Sequence, residues 1–156
     1  MKTLFTLLLI CLPIASANAK YSGGTGEPND PYQIATAADL IVLGETPDDY
    51  GKHFLLTADI DLDPNLPGRK VFDKAVIAPD TDPGDSSGGA PLFTGPSFAG
   101  VFDGNDYTIS HLTIRGEDYV GLFGYLGSGG AVKDLGVVDV NITGLGSHVG
   151  GLLGSN

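Results

Sequence analysis

The sequence predicts an all-β protein, a right-handed parallel β-helix (β-solenoid) with a short capping helix near its N-terminus. From residue 98 to residue 156, short apolar runs alternate with glycine-rich turns, and no stretch of helical periodicity separates them. The apolar residues Ile109, Leu112 and Ile114 are followed, 23 positions later in each case, by Val132, Leu135 and Val137. A fixed period of roughly 20 to 50 residues is typical of solenoids, and parallel crossovers are right-handed in nearly all proteins.

The first 19 residues predict a secretory signal peptide. A basic residue, Lys2, precedes a mostly apolar run at residues 4–12, and Ala17-Asn18-Ala19 has the small-residue pattern of a cleavage site. A membrane anchor is the alternative, but this run is far shorter than the roughly 20 residues that span a bilayer. We therefore expect a secreted or cell-surface protein that begins at Lys20 and does not insert into the membrane after cleavage.

Cleavage would leave an acidic chain without cysteine. Residues 1–19 contain the single cysteine, Cys11, so the remaining chain cannot form an internal disulfide. They also contain one basic residue and no acidic one, which leaves 7 basic and 19 acidic residues and a formal net charge of −12. This charge argues against nucleic acid and anionic membranes as partners. A solvated acidic surface explains it, and binding of divalent cations is the alternative.

Residues 20–53 predict a cap region in front of the β-helix. Turn residues dominate its first part, and Tyr32-Gln33-Ile34 is the first extended piece. A short helix follows, because Thr36 can cap its first turn, Asp39 lies three residues on, and Gly44 can end it. A solenoid has an open end whose apolar core needs a cover, and this is the role that we expect for the helix.

Residues 54–156 predict the coils of the β-helix. Residues 54–63 alternate between apolar and polar side chains, as one strand does, and residues 72–78 form a weaker second run. Residues 79–97 are rich in proline, glycine and aspartate and predict an irregular loop. After that loop, the 23-residue spacing predicts a register in which three apolar pairs stack about 4.8 Å apart. The pairs are Ile109 on Val132, Leu112 on Leu135, and Ile114 on Val137.

Two short stretches resemble a known repeat. Val120-Gly121-Leu122-Phe123-Gly124 and Val149-Gly150-Gly151-Leu152-Leu153-Gly154 look like the GLUG motif, a repeat of bacterial secreted and surface proteins. Residues 23–44 and 53–63 are similar to the N-terminal part of such exported proteins, so the resemblance covers most of residues 21–156. It implies a right-handed β-helix on an exported, adhesin-like bacterial protein, and it implies no particular reaction.

The C-terminal sequence predicts that this chain is a fragment. Its last residues, Gly154-Ser155-Asn156, fall in the middle of a GLUG-like repeat and carry no polar cap. We therefore expect the coils to be truncated at the C-terminus, and further coils or domains to follow Asn156.

The sequence offers no catalytic constellation, so we expect no catalytic residues. The three histidines, His53, His111 and His148, are scattered and lack the close spacing of a metal site. No serine has the setting of a nucleophile elbow. The glycine pairs are not followed by the lysine, hydroxyl residue and helix of a phosphate-binding loop.

Carboxylates supply the one site hypothesis. Asp80, Asp82 and Asp85 lie in the Gly/Pro-rich loop, which can gather oxygen ligands around calcium, although its pattern is not that of an EF-hand. Calcium is accordingly the only cofactor that we consider. Three further aspartates, in residues 59–63, alternate on one strand about 6.7 Å apart. That spacing is wide for one cation, and they read as the outward polar face of a half-buried strand.

These observations favour an exported, non-enzymatic β-helical repeat region used for surface display, adhesion or binding. Its expected partners are carbohydrate or a cell-surface protein. One alternative is a carbohydrate-active enzyme, a lyase-like or hydrolase-like β-helix or a fragment of one. After Lys74, however, only Arg115 and Lys133 are basic, which leaves few cations to activate a substrate. A second alternative is a structural spacer that carries a downstream domain.

Overall fold

The computed structural model describes residues 20–82 and 92–156, and this part of the chain is mostly β-strand with one α-helix. The signal peptide expected at residues 1–19 lies outside the described residues. The predicted all-β class is confirmed. The strands are β1 (Tyr32–Ile34), β2 (His53–Leu56), β3 (Ile60–Asp61), β4 (Val101–Asp103), β5 (Thr108–Ser110), β6 (Thr113–Gly116), β7 (Phe123–Tyr125), β8 (Ala131–Lys133), β9 (Gly136–Val138), β10 (Asn141–Gly144) and β11 (Leu153–Ser155).

The strands form four sheets, and every pairing between them in the described residues is parallel. One sheet has the order β1-β2-β4-β8 and another the order β3-β5-β9. The remaining two sheets are the pairs β6-β10 and β7-β11. Parallel neighbours need a long connection between them, so each sheet joins parts of the chain that are distant in sequence.

The sheets are built from three successive stretches of chain, which we name segment 1 (residues 53–77), segment 2 (residues 101–125) and segment 3 (residues 131–155). Segment 1 contributes β2 and β3, and single-residue parallel bridges from Phe72 to Ile114 and from Ile77 to Phe123 extend it onto the other two sheets. All four sheets therefore cross the segments in the same order, 1 to 2 to 3.

The register differs from the predicted 23-residue spacing, which is wrong. Ile109 pairs with Val137 and Ile114 with Ile142, each 28 positions apart, whereas Val132 pairs with Phe102, 30 positions apart. Leu135 lies between β8 and β9, where it packs against Gly104. The error has a physical cause, because every strand turns apolar side chains inward. An apolar residue on a neighbouring sheet therefore resembles the true partner in sequence.

Two predicted strands are also corrected. Residues 54–63 are not one strand, because β2 ends at Leu56 and β3 begins only at Ile60. The chain turns a corner between them, and the side chains on both sides of that corner point into the core, which imitates the alternation of a single strand. Residues 72–78 contain no strand, only the two bridges at Phe72 and Ile77.

The helix α1, Ala37–Gly44, begins as the sequence predicts. The Thr36 hydroxyl accepts a hydrogen bond from the Asp39 N–H, and the Asp39 carboxylate accepts one from the Thr36 N–H, which makes a capping box. Gly44 is the last helical residue rather than the residue after the helix. It is glycine because a Cβ there would clash with the Val76 carbonyl oxygen. A short 3-10 helix, Pro47–Asp49, follows.

Phenylalanine rings fill the centre of the core. Phe102 lies between Phe54, with ring centroids 6.4 Å apart, and Phe123, at 5.4 Å, and all three side chains are buried. Leu40 and Leu43 of α1 belong to the same buried cluster. Burial falls off toward segment 3, whose inward side chains are only partly buried against the core: Val132, Leu135, Val137, Ile142, Leu152 and Leu153.

The observed register predicts which truncations couple. Ile109→Ala should lower the free energy of unfolding by roughly 2–5 kcal/mol, because this fully buried side chain leaves a cavity. A double-mutant cycle with Val137→Ala should give an interaction energy of about 0.5–3 kcal/mol, since the two residues pair directly.

Urea unfolding measures both quantities, and the matched cycle pairs Ile109→Ala with Val132→Ala. The coupling of Ile109 to Val137 should be the larger of the two. A larger coupling of Ile109 to Val132 would instead support the 23-residue register.

Candidate functional site

The outward aspartates of segment 1 hold corners of the chain. Asp59 Oδ1 accepts hydrogen bonds from the Thr108 N–H at 2.8 Å and from the Thr108 hydroxyl at 3.0 Å. Asp63 Oδ1 accepts hydrogen bonds from the Asn65 backbone N–H and side-chain amide. Asp63 thus holds a local turn and Asp59 joins segment 1 to segment 2, so neither carboxylate points into the core.

Asp61 makes the one ion pair to a histidine among the described residues. Its Oδ1 lies 2.9 Å from His111 Nδ1 and also accepts a hydrogen bond from the Asp63 N–H. These two contacts hold the pKa of Asp61 below its usual value, with the Asp63 N–H as the larger cause. The hydrogen bond to Asp61 raises the pKa of His111, with further contributions from the charges of Asp139 and Asp63.

This pair predicts a pH dependence. Because the folded-state pKa of His111 is raised, the contribution of the pair is full below the ordinary histidine pKa of about 6.5 as long as Asp61 is ionised. The contribution is lost as the pH rises through the raised pKa of His111. Asp61→Asn should lower the pKa of His111 toward about 6.5 in an NMR titration. Asp106→Asn, an exposed control, should leave it unchanged, and an equal drop in both variants would contradict the pairing.

The three predicted calcium ligands differ in their surroundings. Asp80 is buried at the base of the loop, where its Oδ1 accepts hydrogen bonds from the Thr94 N–H at 3.0 Å, the Thr94 hydroxyl at 2.7 Å and the Asp82 N–H at 3.2 Å. Its Oδ2 is buried and has no hydrogen-bond partner. Asp82 is exposed, and Asp85 lies outside the described residues.

The described residues contain no group of three or more histidine, cysteine or acidic side chains that suits a metal ion. Asp80 therefore acts first as a clamp that joins residues 80–82 to Thr94. A second clamp lies beside it, because the Thr94 carbonyl accepts hydrogen bonds from the Thr81 N–H and hydroxyl, both at 2.7 Å. Calcium at the free Oδ2 stays a prediction.

That prediction has a direct test. If calcium binds at the loop, a concentration 100 times its dissociation constant should raise the free energy of unfolding by about 2.7 kcal/mol relative to chelator. Asp82→Asn should abolish the increment, because it removes a ligand without disturbing the carboxylate of Asp80. Asp63→Asn is the matched control and should keep it. An unchanged thermal midpoint with and without calcium in the parent protein would refute the site.

An aromatic cluster beside this loop base was missed in the sequence. The Phe93 ring lies 4.7 Å from Tyr125 in a stacked arrangement and 5.3 Å from Tyr119, while the His148 ring stacks flat on Tyr119 at 4.3 Å. Burial raises the pKa of Tyr119. The sequence does hint at the contact between Tyr119 and His148, because each residue immediately precedes one of the two GLUG-like stretches. The contacts of Phe93 depend on tertiary structure and have no such signal.

Segment 3 presents the open edge of the fold. β8, β9, β10 and β11 are the last strands of their sheets, and all four belong to this segment. Large apolar side chains are exposed along it: Val138, Val140, Leu145 and Val149. Within the described residues, no helix is long and apolar enough to cross a membrane.

Comparison with known proteins identifies two longer relatives. Halomucin of Haloquadratum walsbyi is 31% identical over 139 residues, which is 85% of this chain but 1% of halomucin. A protein of Evansella cellulosilytica, named for its Gly-rich composition and a membrane location, is 32% identical over 166 aligned positions, which cover 98% of this chain and 16% of that protein. No family model matches the chain, and no solved structure does so.

These relatives bear on location more than on activity. The name of the Evansella cellulosilytica relative includes a membrane location, which agrees, at low identity, with the surface location expected from the sequence. The chain spans only a small part of either relative, so the activities of those proteins do not transfer to it.

Proposed function

We propose that this chain is part of an exported, non-enzymatic β-helical repeat protein that displays or binds ligands at the cell surface. The observation that carries the proposal is the common order of the four parallel sheets through segments 1, 2 and 3. Strands that recur in one order along a chain and pair in parallel belong to a winding backbone. The proposed winding is right-handed, as nearly all parallel crossovers are.

The two GLUG-like stretches occupy equivalent places in this winding. Val120 forms a parallel bridge with Val149, and Phe123 pairs with Leu153. Leu122 and Leu152 precede those paired residues, and Leu122 is fully buried. The equivalence supports the resemblance to the GLUG repeat, because stacked units need the same side chain at the same depth.

The proposed protein continues its coils on the open edge of segment 3. Gly121 has close backbone neighbours in segment 3, because a Cβ on it would lie 3.1 Å from Gly150 O and from Gly154 N. A Cβ on the equivalent Gly151 would meet only Val140 Cγ2, at 3.7 Å. Among the described residues, none lies close enough to require glycine at position 151, whereas a further coil stacked there would. Residues 131–156 also carry only one basic and two acidic residues, which suits a stacking surface.

Display, spacing and binding all use a rigid repeat, and solenoids build extended surfaces for such roles. The lengths of the relatives fit a chain that is one part of a long surface protein, since this stretch is 16% of one relative and 1% of the other.

Hydrogen exchange tests the open edge. In residues 20–156 produced alone, amides of segment 2, such as Ile109 and Ile114, should exchange much more slowly than those of Ile142 and Leu153 in segment 3. Segment 3 has ladder partners on one side only, and exposed strand edges also favour self-association. When the sequence that follows Asn156 in its gene is included, protection of segment 3 should rise to that of segment 2.

The control in this experiment is segment 2 itself, whose protection should not change between the two chains. A monomer of residues 20–156 with equal protection in both segments would show that the edge needs no further coil.

A further inference from the structure

A preformed cavity lies between the C-terminal end of α1 and residues 70–81. Its volume is about 520 Å³, which falls in the range of small-molecule sites in proteins, roughly 300–1,000 Å³. Its walls are mainly apolar and include Ile41, Pro47, Tyr50 and Phe72.

Hydrogen bonds hold one wall of the cavity in place. The Tyr50 hydroxyl donates to the Gly44 carbonyl at 2.8 Å and accepts from the Ala78 N–H at 3.0 Å. These bonds tie the end of the helix to the chain that follows segment 1. The cavity therefore does not need to form on ligand binding, which lowers the entropic cost of binding.

Two lysines on the rim, Lys70 and Lys74, have no carboxylate partner among the residues that the structure describes. Neither forms an ion pair within residues 20–82 and 92–156, and Lys70 Nζ instead lies 5.4 Å from the centre of the Phe72 ring. The other described lysines are each paired with a carboxylate: Lys20 with Asp49, Lys52 with Glu27, and Lys133 with Asp103. In a chain with so many acidic residues, two unpaired lysines at one cavity are a feature that calls for an anionic ligand.

The same rim also carries carboxylates. Glu45 and Asp73 line the cavity beside the lysines, and both are exposed. A carboxylate accepts hydrogen bonds but cannot donate them, so these groups suit hydroxyl donors and repel a ligand that is only a dense cluster of negative charge. The cavity thus offers cations, acceptors for hydroxyl groups and an apolar wall together.

We propose that this cavity binds an acidic saccharide. The ligand's carboxylate or sulfate group would contact Lys70 and Lys74, and its hydroxyl groups would donate to Glu45 and Asp73. The apolar face of a sugar ring would lie on Pro47, which is exposed, and on the half-buried Ile41. A neutral sugar leaves both lysines unpaired, and a polyphosphate meets two repelling carboxylates. The proposal rests on the proposed function, for which it names a ligand class, but it does not depend on the open edge of segment 3.

The test uses residues 20–156 with oligogalacturonate as the probe, in isothermal titration calorimetry at low salt. Saturable binding is expected, and Lys70→Gln and Lys74→Gln should each weaken it by about fivefold, the upper range for an exposed charge pair. Lys133→Gln, which removes a lysine already paired with Asp103, is the matched control and should not change affinity. Equal thermal midpoints confirm that the variants fold.

A further variant separates saccharide recognition from simple charge attraction. Glu45→Ala removes an acceptor and a negative charge together, so it should weaken a bound saccharide but strengthen non-specific anion binding. A neutral cello-oligosaccharide and polyglutamate are the competing probes. Absence of oligogalacturonate binding, equal binding of either competitor, or tighter binding by Glu45→Ala would overturn the proposal. If oligogalacturonate does not bind but the segment 3 amides exchange faster than those of segment 2, the saccharide proposal fails and the proposed repeat function stands.

Discussion

The fold depends on the backbone hydrogen bonds between successive segments. In a parallel ladder these bonds fix each residue beside its counterpart, so paired side chains point to the same side of the sheet in each segment. Phe54, Phe102 and Val132 occupy one such line, and Ile60, Ile109 and Val137 occupy another. Inward positions are then apolar in successive segments, because a polar group in the buried core would lack a partner. The repeating sequence is the consequence of this backbone geometry.

The two ends of the ladders differ in how they are covered. At the β1 end, helix α1 adds Leu40 and Leu43 to the buried core, and its capping box fixes where the helix starts. At the segment 3 end, strand edges and side chains such as Ile142 and Leu153 are only partly covered. Stability in a stacked array comes from interfaces between neighbours, so it should decrease from segment 2 to segment 3. The same asymmetry leaves the strands of segment 3 as the outermost strands of all four sheets.

The sequence predicted features that depend on neighbouring residues and missed those that depend on distant ones. The capping box of Thr36 and Asp39 and the strand at Tyr32–Ile34 are local, and the structure has both. The register is not local, because several apolar residues compete equally for each inward place. The composition of the loop predicts Asp80 as a calcium ligand. Its hydrogen bonds to Thr94, 14 residues away, leave no pattern in the neighbouring sequence. The cavity was missed for the same reason, since helix α1 and Lys74 meet only in the folded chain.

An acidic protein that binds an acidic saccharide requires the local charges to outweigh the global charge. At physiological ionic strength, exposed charges are screened beyond about 8 Å, so most of the carboxylates act weakly on a ligand in the cavity. In the proposed complex, Lys70 and Lys74 would act on the ligand at contact distance, where screening is weaker. Added salt therefore has two opposite effects, because it relieves the repulsion that slows the approach of the ligand and weakens the contacts that hold it. The net effect of salt on affinity then shows whether the long-range repulsion or the short-range lysine contacts dominate. If the lysine contacts dominate, added salt should lower the affinity while it raises the association rate.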